Sequence, residues 1–125
     1  MDVVSYRTLE PFTTKDGSTI REFVHSPAQS LAEATLEPGQ STMRHYHALS
    51  EEIYLLTGGG GTMEVDGESR EVAEGDAILI PPGAWHELKA GTEGVRLLCQ
   101  PPGCGLPPVP PTLWQSMQLV SGPWS

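Results

Sequence analysis

Three histidines and a pair of acids in this chain have the types and spacing that can hold a transition metal. His45 and His47 are separated by one residue, Glu51 and Glu52 follow within five positions, and His86 comes later, behind a Pro81-x-Gly83 turn. On an extended strand, positions i and i+2 point to the same face, so His45 and His47 can offer two imidazoles to one ion. Three imidazoles and one carboxylate suit a borderline first-row divalent metal. In an octahedral shell they leave two positions for water, substrate or dioxygen. Spacing alone allows either acid, because Glu51 and Glu52 fall on opposite faces of the same strand, Glu51 with Ile53 and Leu55, Glu52 with Tyr54 and Leu56. His25 stands apart from this set and reads as an ordinary surface or core histidine.

The elements that must carry these residues are short strands. Among 125 residues, 14 Gly and 12 Pro leave apolar runs of only four or five residues between them, a pattern hostile to long helices. Segment 31–36 leads into Glu37-Pro38-Gly39-Gln40, which suits a type II turn, and a strand over 41–47 is expected next. Segment 51–57 is rich in Ile, Tyr, Leu and Thr, and the four glycines at 58–61 can bend the sheet sharply or form a bulge, with strand, bend, strand as the economical reading. Asp66-Gly67 marks a hairpin between 63–65 and 69–72, and Glu74-Gly75-Asp76 turns the chain into 77–80. A last hairpin is expected from 84–89 and 95–99 around 90–94. Short strands at this spacing predict an all-β barrel or sandwich in a single domain spanning 1–125.

Seven Lys plus Arg against 16 Asp plus Glu give a net charge of -9, a field that repels polyphosphates and anionic headgroups. Nucleic acid and membrane surfaces are therefore not expected partners. No stretch has the length to span a bilayer or the layout of an export signal, so a cytoplasmic protein is expected. Cys99 and Cys104 read as reduced thiols, with Cys99 packed in the core. Seven prolines fall in 101–125, yet Leu113, Trp114, Met117, Leu119, Val120 and Trp124 make that segment too apolar for a free tail. It is expected to pack on the barrel or on a second subunit, with a short helix over 113–118, and a homodimer follows from the need to cover it.

With these residues in view, the chain resembles the cupin superfamily, as a small single-domain member. Gly39-x5-His45-x-His47-x4-Glu52-x6-Gly59 is similar to the first cupin motif, and Gly75-x5-Pro81-x-Gly83-x2-His86 to the second. The resemblance covers about residues 30–100 and departs at Ala90, where the second motif usually has Asn. It implies a double-stranded β-helix, or jelly-roll barrel, whose interior holds one divalent metal, Fe, Mn, Ni or Zn, on His45, His47, Glu52 and His86. The family's usual acidic-acidic-Ile-Tyr text favours Glu52 over Glu51. Tyr54 then shares the ligand face. Its phenol resembles the proton-moving tyrosines of some metal-dependent cupin lyases, and its plain alternative is to fill the barrel. Met43 and Leu88 are expected as apolar pocket walls.

Fold does not settle activity. An open metal site implies a small-molecule enzyme, dioxygenase-like or isomerase-like, and the alternative is a non-catalytic protein that binds a sugar or small acid. No Gly-x-Ser-x-Gly elbow or phosphate-cradling loop competes with the metal set.

Overall fold

A computed structural model describes residues 1–14 and 17–100. The expected 113–118 helix, Cys104 and the proline-rich apolar segment 101–125 all lie outside the described residues. Seven strands follow a 3-10 turn at Tyr6–Thr8: β1 (Phe12–Thr13), β2 (Thr19–His25), β3 (Ser30–Leu36), β4 (Glu52–Val65), β5 (Glu68–Ala73), β6 (Ala77–Ile80) and β7 (His86–Gln100). They hydrogen-bond in the order β1-β2-β3-β7-β4-β5, with β6 added to β4, and every pairing is antiparallel. This is the all-β, double-stranded β-helix architecture expected from the sequence.

The two longest strands organise the barrel. β4 lies beside β7 along almost its whole length, from Ile53 opposite Gln100 to Val65 opposite His86. The second half of β7 also pairs with β3, and the first half of β4 with β6. The glycines at 58–61 thus do not bend the chain into two strands. They lie inside one 14-residue strand, where the register shifts at Leu56/Gly58 and again at Gly59/Gly61. The physical reason is close approach. A Cβ on Gly59 would meet the Gly94 carbonyl and one on Gly61 the Lys89 carbonyl, and Gly59 also has φ +68°. The hairpin expected around 90–94 is likewise replaced by continuous β7. Residues 91–94 bulge opposite Gly60 while the strand keeps β4 as its partner on both sides.

Turn chemistry behaves as expected. Gly39 has φ +76° and Gln40 N donates to Glu37 O at 3.0 Å, while Asp66 and Gly67 both have positive φ, as a type I′ hairpin requires. Segment 41–47 is not a regular strand. It touches the sheet through isolated bridges, Ser41 to Lys89 and His45 to His86, because the alternation slips: Thr42, His45 and His47 are buried and Met43 is exposed. Met43 is therefore no pocket wall, whereas Leu88 is fully buried in the interior. The core also holds Ile20, Ala32, Leu36, Tyr54, Leu56, Ile80, Leu97 and Cys99. Cys99 serves as packing, with its Sγ 3.5 Å from the Ala32 carbonyl oxygen.

Candidate metal centre

His45 and His86 sit opposite each other and exchange both backbone hydrogen bonds, His45 N to His86 O at 3.1 Å and His86 N to His45 O at 2.8 Å. That mutual pairing brings together residues 41 positions apart. His47 is held at the same end, where its carbonyl accepts from Gly83 N at 2.7 Å, so the Pro81-x-Gly83 turn positions it. Ring centroids stand 4.3 Å apart for His45 and His86, 5.2 Å for His45 and His47, and 5.4 Å for His47 and His86. One ring nitrogen from each of the three lies within 4.8 Å of the others.

Tautomers follow from the outer hydrogen bonds. His45 Nδ1 lies 2.8 Å from the Met43 carbonyl and His86 Nδ1 lies 3.0 Å from the Ala84 carbonyl. A carbonyl only accepts, so each Nδ1 donates its hydrogen, and in the neutral ring each Nε2 then carries a lone pair. Burial, with the neighbouring His86 adding to it, lowers the His45 pKa from 6.5 to about 4. That imidazole is uncharged at neutral pH, as metal ligation requires.

Glu52 is 2% exposed and enters from the first position of β4, while Glu51 points to solvent. Its Oε1 lies 3.2 Å from His47 Nε2 and 3.7 Å from His86 Nε2. Burial alone would raise its pKa, but the His47 and His86 imidazoles outweigh that and hold the carboxyl below its ordinary range. The three buried imidazole nitrogens fit a divalent transition metal, and the Glu52 carboxylate stands beside two of them, His47 and His86, without belonging to the same 4.8 Å group. Tyr54, two positions along β4, is buried with its ring centroid 6.2 Å from that of His86, edge to face.

Sequence reasoning did not anticipate the outward clamp behind the histidines. Arg44 donates to both oxygens of Glu64, from Nε at 2.6 Å and Nη2 at 3.3 Å, and its guanidinium lies 5.2 Å from the Trp85 ring centre. Tyr46 packs on the same indole at 4.5 Å. Arg44 and Tyr46 alternate with His45 and His47, so the clamp fixes an irregular segment that has little ladder bonding of its own. The alternation is legible in the sequence, but the partners Glu64 and Trp85 are not.

One space is lined by the cluster, and a second is lined by strand neighbours of its residues. Toward β2 and β3, a cavity of about 20 Å³ is lined by Ile20, Leu36, Leu97 and Cys99 together with His45, Glu52 and Tyr54. Toward β5 and β6, a groove of about 510 Å³ opens beside Met63, Val65, Val72 and Ile78.

Comparison with known proteins agrees with this geometry. The profile of the Cupin domain family matches residues 32–101. An uncharacterized protein, MJ1618 of Methanocaldococcus jannaschii, is 42% identical over 109 residues, covering 82% of this chain and 84% of that one. Gentisate 1,2 dioxygenase 1 of Aquipseudomonas alcaligenes is 38% identical over 50 residues, which are 40% of this chain and only 14% of the dioxygenase. Among solved structures, KdgF from Halomonas sp. superposes with a TM-score of 0.76 at 17% identity, covering 82% of this chain and 94% of KdgF, a likeness of fold alone.

Proposed function

This chain belongs to the cupin domain family, and from that premise we propose that it is a small-molecule metalloenzyme of dioxygenase-like or isomerase-like type. The observation that carries the reading is the set of three buried imidazole nitrogens within 4.8 Å, two of them with tautomers set by the Met43 and Ala84 carbonyls. His45, His47, His86 and Glu52 would hold one divalent metal, Fe, Mn, Ni or Zn, with Glu52 supplying the negative charge. When bound, such a metal polarises a carbonyl or enolate oxygen of a small substrate and, as Fe, can also engage dioxygen. The chain's own residues do the rest. The apolar walls exclude water, the outward clamp keeps His45 and His47 in place, and the Tyr54 phenol oxygen holds or moves a proton near the reacting atom.

Elemental analysis of protein made without added metal tests the site. We expect about one equivalent of a divalent metal in the wild type, a fall of tenfold or more in affinity for Glu52→Ala, and no change for Glu51→Ala. Equal loss in both variants would remove Glu52 from the ligand set.

The second reading is a non-catalytic binder of a sugar or small acid, for which the groove of about 510 Å³, rather than the one-water space at the cluster, has the room. Metal-dependent binding without product across small enols, diketones, thiols and sugar acids would establish it. We also propose a homodimer in the cytoplasm. Ile53, Leu55 and Leu79 stand 40% to 59% exposed on adjacent strands and support this, and light scattering at micromolar concentration distinguishes dimer from monomer. No helix among the described residues is long and apolar enough to cross a membrane.

A further inference from the structure

We propose that the groove between β5 and β6 binds a small hydroxycarboxylic acid, with Arg70 receiving its carboxylate and Glu68 its hydroxyl. The inference rests on the metal-centre reading for its meaning in turnover, although binding itself is measurable with or without metal. At about 510 Å³ the groove lies in the range of small-ligand sites, and Met63, Val65, Val72 and Ile78 give it apolar walls. It also adjoins the cluster. Val65 is the strand partner of His86 and Ile78 that of Tyr54, so two groove-lining residues are lateral neighbours of the imidazole and the phenol.

The register puts the polar groups on the same face. His86, Val65 and Glu68 stand in one row across β7, β4 and β5, and Leu88, Met63 and Arg70 in the next. Strands lie roughly 5 Å apart, so Glu68 stands about 10 Å from His86 across two strand spacings. Of the four charged residues lining the groove, two are committed to the fold: Glu71 accepts from Thr62 Oγ1 at 2.6 Å and Asp76 accepts from Ala73 N at 2.8 Å. Arg70 and Glu68 make no ion pair within 4 Å among the described residues. By contrast, Arg21 and Arg96 flank Glu33, and Arg44 is bound to Glu64.

Arg70 is thus the groove's one cation in a chain of net charge -9, and an anion entering against that field needs such a local partner. A guanidinium fork matches a carboxylate in two-point contact. Glu68, two residues along the same face, accepts hydrogen bonds, so the ligand group beside it must donate. An apolar body carrying a carboxylate and a hydroxyl satisfies both.

The test uses the full chain and a panel of lactate, mandelate and salicylate against lactamide, mandelamide and salicylamide. Titrations are followed by NMR on wild type, Arg70→Gln, Arg70→Lys and Glu68→Gln, with metal content measured in each sample. Both side chains are exposed on an edge strand, so these variants should fold normally. We expect at least one acid to bind with a Kd below 1 mM and tenfold or more tighter than its amide. Arg70→Gln should abolish that preference, Arg70→Lys should keep part of it, and Glu68→Gln should weaken the acid less than Arg70→Gln. No acid binding below 10 mM, or a preference for acid over amide that survives in Arg70→Gln, overturns the proposal. If the preference stands in protein that holds no metal, the groove assignment survives and the metal reading fails. A full metal complement with no acid preference gives the reverse result.

Discussion

The two flanks of the barrel share apolar walls, but the open one adds four charged side chains, Glu68, Arg70, Glu71 and Asp76. Toward β2 and β3, Ile20, Leu36, Leu97 and Cys99 close on His45, Glu52 and Tyr54 so tightly that about 20 Å³ is left, room for roughly one water. Toward β5 and β6, the equally apolar Met63, Val65, Val72 and Ile78 border about 510 Å³ of open groove. The difference comes from pairing. β2 and β3 are hydrogen-bonded to each other and β3 also pairs with β7, whereas β5 and β6 each pair only with β4. A barrel whose strands pair on one flank and part on the other is sealed on the first and open on the second.

The largest expected effect removes what the two flanks share. His45→Ala with His47→Ala should abolish stoichiometric metal while circular dichroism still reports the strand-rich fold, because the core is apolar and independent of the imidazoles. Full metal content in that double variant would show that the cluster is not the ligand set. Next, the closed flank should carry the stability. Leu97→Ala, at a site 2% exposed, should cost about 2–5 kcal/mol in urea unfolding, while Val72→Ala at the groove should cost about 1 kcal/mol or less. Equal costs would mean that the groove is closed in solution.

Tyr54 links the flanks, since it lines the closed cavity and pairs with Ile78 of the groove. Tyr54→Phe should lower turnover of an identified substrate by roughly a hundredfold, with metal content unchanged. A full rate would return the ring to filling the barrel.

The last effect is on pH. His45 has its folded pKa lowered to about 4 by burial, below the ordinary 6.5, and Glu52 is held below its ordinary range by His47 and His86. In both cases the unfolded chain binds the proton more readily. Stability of the metal-free protein should therefore fall as pH drops from 6.5 toward 4, by about 1.4 kcal/mol per pH unit for each proton taken up. Urea melts at pH 7, 5.5 and 4.5 measure this, and a flat profile would mean that the apo cluster opens to solvent.

Much of this molecule is legible in its sequence, for local reasons. The His-x-His spacing, the Pro-x-Gly turn before His86, and the Asp66-Gly67 hairpin each act within a few residues, and the alternation in 51–57 separates buried Glu52, Tyr54 and Leu56 from exposed Glu51, Ile53 and Leu55. The errors arose where two distant strands decide the outcome. The glycines of 58–61 look like a break, but they admit the carbonyls of Gly94 and Lys89 from β7, a contact with a strand some 30 residues away. Met43 looked like a wall because strict alternation was assumed for a segment that makes only isolated bridges.

By itself the sequence determined which donors are present, which local turns are allowed and that the chain is built of strands rather than helices, because residue type and near spacing control these. Only the tertiary structure decided that His45 and His86 exchange backbone bonds, that the Met43 and Ala84 carbonyls orient their rings, and that Arg44 locks onto Glu64. It also decided which flank closes and which stays open. Those outcomes depend on strand register and on close approach between backbones far apart in the chain, quantities that no local pattern of side chains encodes.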